Sequence, residues 1–541
     1  MTRKKKVPTK AELLQLQKLY KTDEKIGERL GGVPAYLVAY WRRKKAIPKH
    51  SLPKFSEIEV RNLWERYGDD EKAGLEIGLS KAAFYNWRRR YGIKEKPAFL
   101  KLEQLEFNFP GAKLSAHANS LYGKQTVAQK ILARIAGVEK VERGETVEVE
   151  PDMAVVHNDI GAVMQLFRKL GPEFVWNPSR IVVSEDCVPS LEKHRSPEAD
   201  QKAAREFLKR QRIKSIYDFR EGFCHQVVME KGHVLPGQLV LSTDRLAAAY
   251  GAMSSLATTI TPDQMASVWA ESKASIKAPE TIRITISGRK GRAVFAKDIF
   301  LSILQKLTAT GAQGKVVEYG GSVMSQMTMS ERFTLSSLAV ELGASGAVCP
   351  YDAATRRYVT GRAGNNYKPV IPDKNAEYSE MYQVAIDQVV PQLVCPPKSD
   401  TVRAVAELDG TQVQLIILGS LTNGRFDDLR VAADILKGKH VSHDCRLVIM
   451  PSSRTVYLEA LKKGLIRVFI EAGAVVVSSG SFSEIAAAGM LTAGDRCMAT
   501  TGSDLMTQLS SKGVEVYLCS PATAAASALH ATITDPTRFV R

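Results

Sequence analysis

The stretch GSLTNGRFDDLRVAADILKG, residues 419–438, sits directly behind the apolar run Gln414–Leu418. A short apolar run, a glycine-containing turn and a helical pattern make one strand-to-helix step of an α/β fold. Working outward, strand-like runs recur at Arg180–Ser184, Gln238–Ser242, Arg446–Met450 and Val514–Cys519. Several of them are followed by helical patterns. From about Thr126 onward the chain therefore reads as α/β. Periodicity alone names no chemistry.

Ahead of Thr126 the pattern is different. DEKIGERLGGVPAYLVAYWRRKKAIP (23–48) and DEKAGLEIGLSKAAFYNWRRRYGIK (70–94) are two copies of one design. Trp41 and Trp87 lie 46 residues apart, as do Ile47 and Ile93. Each copy reads as a short helix, a glycine-containing turn and a second helix. Leu30 and Ile77 are the last apolar residues before the turns Gly31-Gly32-Val33 and Gly78-Leu79. Ser80 is expected to cap the second helix of copy two, and Pro34 to open that of copy one. The expected buried faces are Leu37, Tyr40 and Trp41, and Phe84 and Trp87. Leu13, Leu16 and Leu19, then Val60, Leu63 and Trp64, supply a supporting helix for each copy.

Charge concentrates in the same region. Residues 1–100 hold 24 Lys/Arg against 12 Asp/Glu, leaving only +5 of the formal +17 for the rest of the chain. A small, strongly basic segment points to a polyanion partner, with nucleic acid foremost. Each second helix ends in a basic cluster, and the W-R-R-(K/R) ending resembles helix-turn-helix units of transposases and bacterial regulators. The expected DNA-contacting set is Trp41, Arg42, Arg43, Lys44, Lys45, Lys81, Arg88, Arg89 and Arg90. A helical docking module with a charged rim is the plainer alternative. The expected layout is a basic all-α domain at 1–95, a linker at 96–125, α/β domains at 126–400 and a third α/β domain at 401–541.

Composition excludes several classes. With 541 residues the chain holds several domains, and 44% hydrophobic with 25% charged residues is ordinary for a soluble globular protein. No apolar run approaches the roughly 20 residues of a membrane helix. Met1–Lys10 is basic without an apolar segment behind it, so no secretory signal is read and a cytoplasmic location is expected. The seven cysteines are odd in number and form no C-x-x-C pair. Buried thiols are expected, not a disulfide framework.

Beyond periodicity, whole motifs resemble a known family. They are TVAQKILARIAG (126–137), GFCHQVVMEKG (222–232), ERFTLSSLAVELGA (331–344), GSLTNGRFDDLRVAADILKG (419–438), MPSSRTVYLEALKKGLIRVFIEAGAVV (450–476), GDRCMATT (494–501) and SPATAAASA (520–528). In order and spacing they resemble the aconitase superfamily, most closely 3-isopropylmalate dehydratase and homoaconitase large subunits. The resemblance covers about 415 residues. It implies a three-domain α/β/α body around a 4Fe–4S cluster, dehydrating and rehydrating a hydroxy-acid, with a small swivel subunit completing the site.

The residues that would do this chemistry depart from the family pattern. Leu421 stands at the cysteine position of the G-S-C-T-N-G-R motif, and Ser481 and Glu484 stand at those of the C-x-x-C segment. The D-S-H-T pattern reads Asp244-Arg245-Leu246-Ala247, and D-H-x-x-P reads Asp186-Cys187-Val188-Pro189. N-R-N-F reads Gly502-Ser503-Asp504-Leu505, and Ser337 replaces an asparagine. Remnants that match the family include His225, Asp244, Glu318 and Glu341. An anion pocket from Thr422, Asn423, Arg425, Ser453 and Arg454 is one reading of the surviving turn; packing is the other.

No cofactor and no metal are therefore expected, although the family implies a cluster. Asp186, Asp244 and Glu484 are the oxygen donors a hard cation would need. The leading expectation is a non-catalytic aconitase-like protein, a pseudoenzyme, with a DNA-binding N-terminal domain and a metabolite-responsive role. One alternative is a hydro-lyase of the 3-isopropylmalate dehydratase class. The other is a non-catalytic partner of a swivel subunit or an active paralogue. Expected partners are DNA, that subunit and a hydroxy-acid ligand, with no membrane.

Overall fold

The structure, a computed structural model, describes residues 7–540 except 21, 48–56, 68–69, 78, 94–122, 187–196, 219, 365 and 481–489. Chain contacts divide it into a unit of Met1–Lys113 and a unit of Leu114–Arg541. The linker expected at 96–125 lies almost wholly outside the described residues, as do Cys187, Pro189, Ser481 and Glu484.

The first unit contains two helical triplets. Copy one has α1 (Lys10–Tyr20), α2 (Asp23–Arg29) and α3 (Ala35–Lys44); copy two has α4 (Glu57–Tyr67), α5 (Asp70–Glu76) and α6 (Lys81–Arg90). Each triplet has its own small core. In copy one Leu13, Ile26, Val33, Val38, Trp41 and Ile47 are buried together. In copy two the buried set is Val60, Trp64, Ala73, Phe84 and Ile93. Ser80 accepts a hydrogen bond from Ala83 N and caps α6, as its short polar side chain suits. Pro34 precedes α3. Two expectations are corrected. Tyr40 is 53% exposed and Leu19 66% exposed, because the inward stripe of α3 runs through Val38 and Trp41, and that of α1 through Leu13.

Among the described residues the second unit has a two-stranded antiparallel sheet, Thr146–Val149 with Ala274–Lys277, and three larger sheets. The first is parallel, in spatial order Ser215–Tyr217, Ile181–Ser184, Met153–His157, Leu239–Ser242 and Leu256–Thr259. The second is parallel, ordered Gly346–Val348, Val316–Gly320, Thr281–Ser287 and Glu380–Ala385. The third runs Val402–Ala404, Gln392–Val394, Glu515–Cys519, Arg496–Ala499, Leu415–Gly419, Arg446–Met450 and Val475–Val476. Its last five strands are parallel, and Gln392–Val394 lies antiparallel to both of its neighbours. The two strands at that edge straddle the boundary drawn from sequence at 400/401.

Ile181–Ser184, Leu239–Ser242 and Leu415–Gly419 are buried at every residue. That is why they read as continuous apolar runs: helices cover both faces of a parallel sheet. No helix among the described residues is long and apolar enough to cross a membrane.

Candidate functional site

In open parallel sheets, polar side chains gather where the strands end, because the loops there are free of sheet pairing. His157 closes one strand, Asp186 lies two residues beyond the next, and Asp244 two residues beyond a third. These three adjacent strands place their ends side by side. His157 Nε2 lies 2.8 Å from Asp186 Oδ1 and its Nδ1 lies 3.6 Å from Asp244 Oδ1. His225, on the helix Cys224–Glu230, brings Nδ1 within 3.5 Å of Asp244 Oδ2 and Nε2 within 2.8 Å of the Leu421 carbonyl. The result is a buried chain, Asp186–His157–Asp244–His225. Asp186 also accepts hydrogen bonds from Cys224 N and from the Asn158 amide.

Electrostatics set the charge state. Burial works against a charged imidazole, but the carboxylates of Asp244 and Asp186 outweigh it and lift His157 to about 9. Burial would likewise push Asp244 up, yet the His157 charge and His225 hold it well below the usual carboxylate range. Asp186 is lowered in the same way by its hydrogen bond to His157. The network therefore holds a proton on His157 at neutral pH between two ionised carboxylates.

His157 is not among the residues that the sequence motifs single out. The one signal available is a polar residue closing the apolar run Met153–Val156. The oxygen donors proposed for a cation come together only in part. Asp186 and Asp244 flank His157, while Glu484 lies outside the described residues.

The family resemblance implies three cluster thiolates, and the donor set does not fit such a cluster. Leu421 packs its side chain against the apolar core while its carbonyl receives the hydrogen bond at His225 Nε2. Residues 481–489 contain no cysteine. Cys224, Cys349, Cys395, Cys445, Cys497 and Cys519 are free and buried. Desolvation drives the Cys224 and Cys497 thiols up, away from the thiolate form a metal needs. Among the described residues no group of three His, Cys, Asp or Glu side chains is placed to hold a metal ion.

Two other departures from the family pattern meet. Arg245, in the turn after Leu239–Ser242, and Asp504, the first residue of the helix Asp504–Ser510, are far apart in sequence and form an ion pair. Beside it Glu341 accepts a hydrogen bond from Ser503 N at 3.0 Å. Glu318 is fully engaged by Arg283, Tyr378 and Val127 N.

Of the expected anion pocket, Thr422, Asn423 and Arg425 meet around the Thr334 hydroxyl. Thr422 donates to Thr500 O and Asn423 donates to Asp428. Arg425 is buried, donating to Gln226 Oε1 at 2.9 Å and Thr422 O at 2.9 Å. Ser453 caps the helix Arg454–Lys462 and donates to Glu230, and Arg454 pairs with Glu221 at the surface. Among the described residues, the buried atoms Ser420 Oγ, Ser452 Oγ and Arg425 Nη2 beside this turn have no hydrogen-bond partner.

These segments match a described family. The profile named Aconitase family (aconitate hydratase) matches residues 177–410 and 400–531. The chain belongs to the aconitase family. Relatives include the 3-isopropylmalate dehydratase large subunit 1 of Methanopyrus kandleri, 39% identical over 77% of this chain and all of that one. A probable methanogen homoaconitase large subunit of Methanosarcina mazei is 36% identical over 72% of this chain and 99% of its own. The 3-isopropylmalate dehydratase large subunit of Thermoanaerobacter sp. is 36% identical over 76% and 98%. The family profile leaves residues 1–176 unmatched.

In the helical unit the expected DNA-contacting set divides. Arg42 Nε and Nη2 donate to the two carboxylate oxygens of Asp23 at 3.1 and 3.0 Å, and Nη1 donates to Ile47 O. Arg88 repeats this with Asp70 at 2.8 and 2.9 Å and with Ile93 O, and stacks 3.8 Å over the Trp64 ring. These guanidinium groups tie the end of each second helix to the start of the first, the fork geometry that suits arginine. Trp41 is a core residue. The three are therefore corrected to structural positions. Arg43, Lys44, Lys81, Arg89 and Arg90 are exposed, and Lys45 is half-buried.

Proposed function

We propose that this is a DNA-binding member of the aconitase family whose body keeps the hydro-lyase scaffold without its cluster chemistry. The observation that carries the reading is Leu421. A side chain with no donor atom stands in a thiolate position and packs against the core, so the ligand has been exchanged for packing. The Arg245–Asp504 pair supports the same reading, since it joins two segments whose motifs depart from the family pattern. The exposed basic residues at the ends of α3 and α6 support the DNA part, because cations repeated at the same place in two linked helical units suit a phosphate backbone. A metabolite-responsive role fits this division of labour.

The test is capture of sheared duplex DNA by the full-length chain at two salt concentrations. Retention that weakens steeply with salt is expected. Absence of retention at low salt would remove the DNA reading.

The relatives favour a second reading, a hydro-lyase acting on a hydroxy-acid. Identity near 39% spans the whole of one dehydratase large subunit, and the unpartnered Ser420, Ser452 and Arg425 atoms leave polar capacity at the strand ends. Turnover of 2- or 3-isopropylmalate by the purified chain, alone or with a small subunit, would establish it. Because its relatives carry the name large subunit, a small-subunit partner belongs to this reading and to that of a non-catalytic assembly partner. Co-purification distinguishes them: a stable pair without turnover points to assembly alone.

A further inference from the structure

The second helices of the two copies keep the same buried positions and the same basic last turn, and differ at exposed positions earlier in the helix. Equivalent positions lie 46 residues apart. Inward, Val38 and Phe84 are fully buried, and Arg42 and Arg88 make the same clasp. In the last turn Arg43 and Lys44 match Arg89 and Arg90, all exposed. Earlier in the helix the chemistry diverges. Copy one exposes Tyr36 at 72% and Tyr40 at 53%. Copy two exposes Ala82 and Asn86 at those positions.

This pattern separates two tasks. Basic residues grip phosphate and carry no sequence information, whereas side chains early in a recognition helix meet base edges. The gripping residues are alike in both copies, and the reading residues are not. Asparagine pairs with adenine through N6 and N7, and apolar or aromatic surface suits the thymine methyl. We propose that the two copies read two unlike half-sites of one DNA duplex. Asn86 selects adenine in one half, and the rings of Tyr36 and Tyr40 read an apolar, thymine-bearing edge in the other. The inference rests on the DNA-binding reading above. Duplex DNA is the occupant because a helix enters its major groove, while that of A-form RNA is too narrow to be read by side chains.

The test is selection by the full-length chain from a random-sequence duplex library, followed by titration of variants. The expected result is a two-part motif with different bases in its halves. Asn86→Ala should lower affinity for the selected site by about 10- to 100-fold and leave affinity for unrelated duplex unchanged. Tyr40→Ala should relax the other half. Arg43→Ala should weaken every sequence by a similar factor and reduce the salt slope by about one. All three positions are exposed, so unchanged melting confirms the fold. Two identical half-sites, or an equal loss on all sequences with Asn86→Ala, would overturn the inference. Duplex retention with no enriched motif would overturn it and leave the DNA reading standing. No duplex retention, or preference for RNA, would remove both.

Discussion

His157 shows how much one side chain depends on its surroundings. Lifted to about 9, it favours folding wherever its folded form holds a proton that the unfolded chain would release. That contribution is fully present below the ordinary histidine value of about 6.5 and is lost as pH rises through about 9. Asp244 and Asp186 act in the opposite direction, with stability present above the carboxylate range and lost as pH falls through their lowered values. Thermal melts should therefore show stability falling between about pH 7 and pH 9, by roughly 3 kcal/mol at most. His157→Gln should flatten that slope; an unchanged slope would mean the ion chain is not what titrates. In the helical unit, Arg42→Lys should cost roughly 3 kcal/mol by breaking the fork to Asp23. Arg43→Ala, at an exposed position, should stay within about 0.5 kcal/mol. Comparing the two variants by denaturation checks which arginine is structural.

At the scale of elements, glycine sets how closely α2 and α5 approach the turns that lead into α3 and α6. A Cβ at Gly27 would lie 2.0 Å from Val33 O, and one at Gly74 would lie 2.8 Å from Leu79 O. Gly27→Ala should therefore destabilise its triplet by roughly 1–3 kcal/mol, and Gly74→Ala by less. Equal melting of the two variants would contradict that ranking. The same elements show what can be read in advance. The buried strands are legible because burial on both faces makes them continuously apolar, and the repeat is legible through its tryptophans. The inward direction of α3 is ambiguous at Tyr40, since an amphipathic aromatic one residue from Trp41 fits either face. Leu421 can be located from its motif, but its packing cannot. His157 escapes notice because the site assembles from strand ends dozens of residues apart, a coincidence of topology that no local pattern records.

At the scale of the whole molecule, two units carry different physics. One is small, basic and repeated; the other is an α/β body with polar groups at its strand ends. Family membership is fixed by the body, where the scaffold motifs persist. Scaffold similarity says little about chemistry, because a fold survives the replacement of its donors. Leucine in a thiolate position, a cysteine-free segment at 481–489 and the Arg245–Asp504 pair all point the same way. The most direct test is anaerobic reconstitution of the full-length chain with ferrous iron and sulfide. Bound metal, visible absorption and hydro-lyase turnover would then be measured on one sample. Background iron, no cluster absorption and no turnover are expected. Stoichiometric iron and sulfide, with cluster absorption and turnover of a hydroxy-acid, would contradict it.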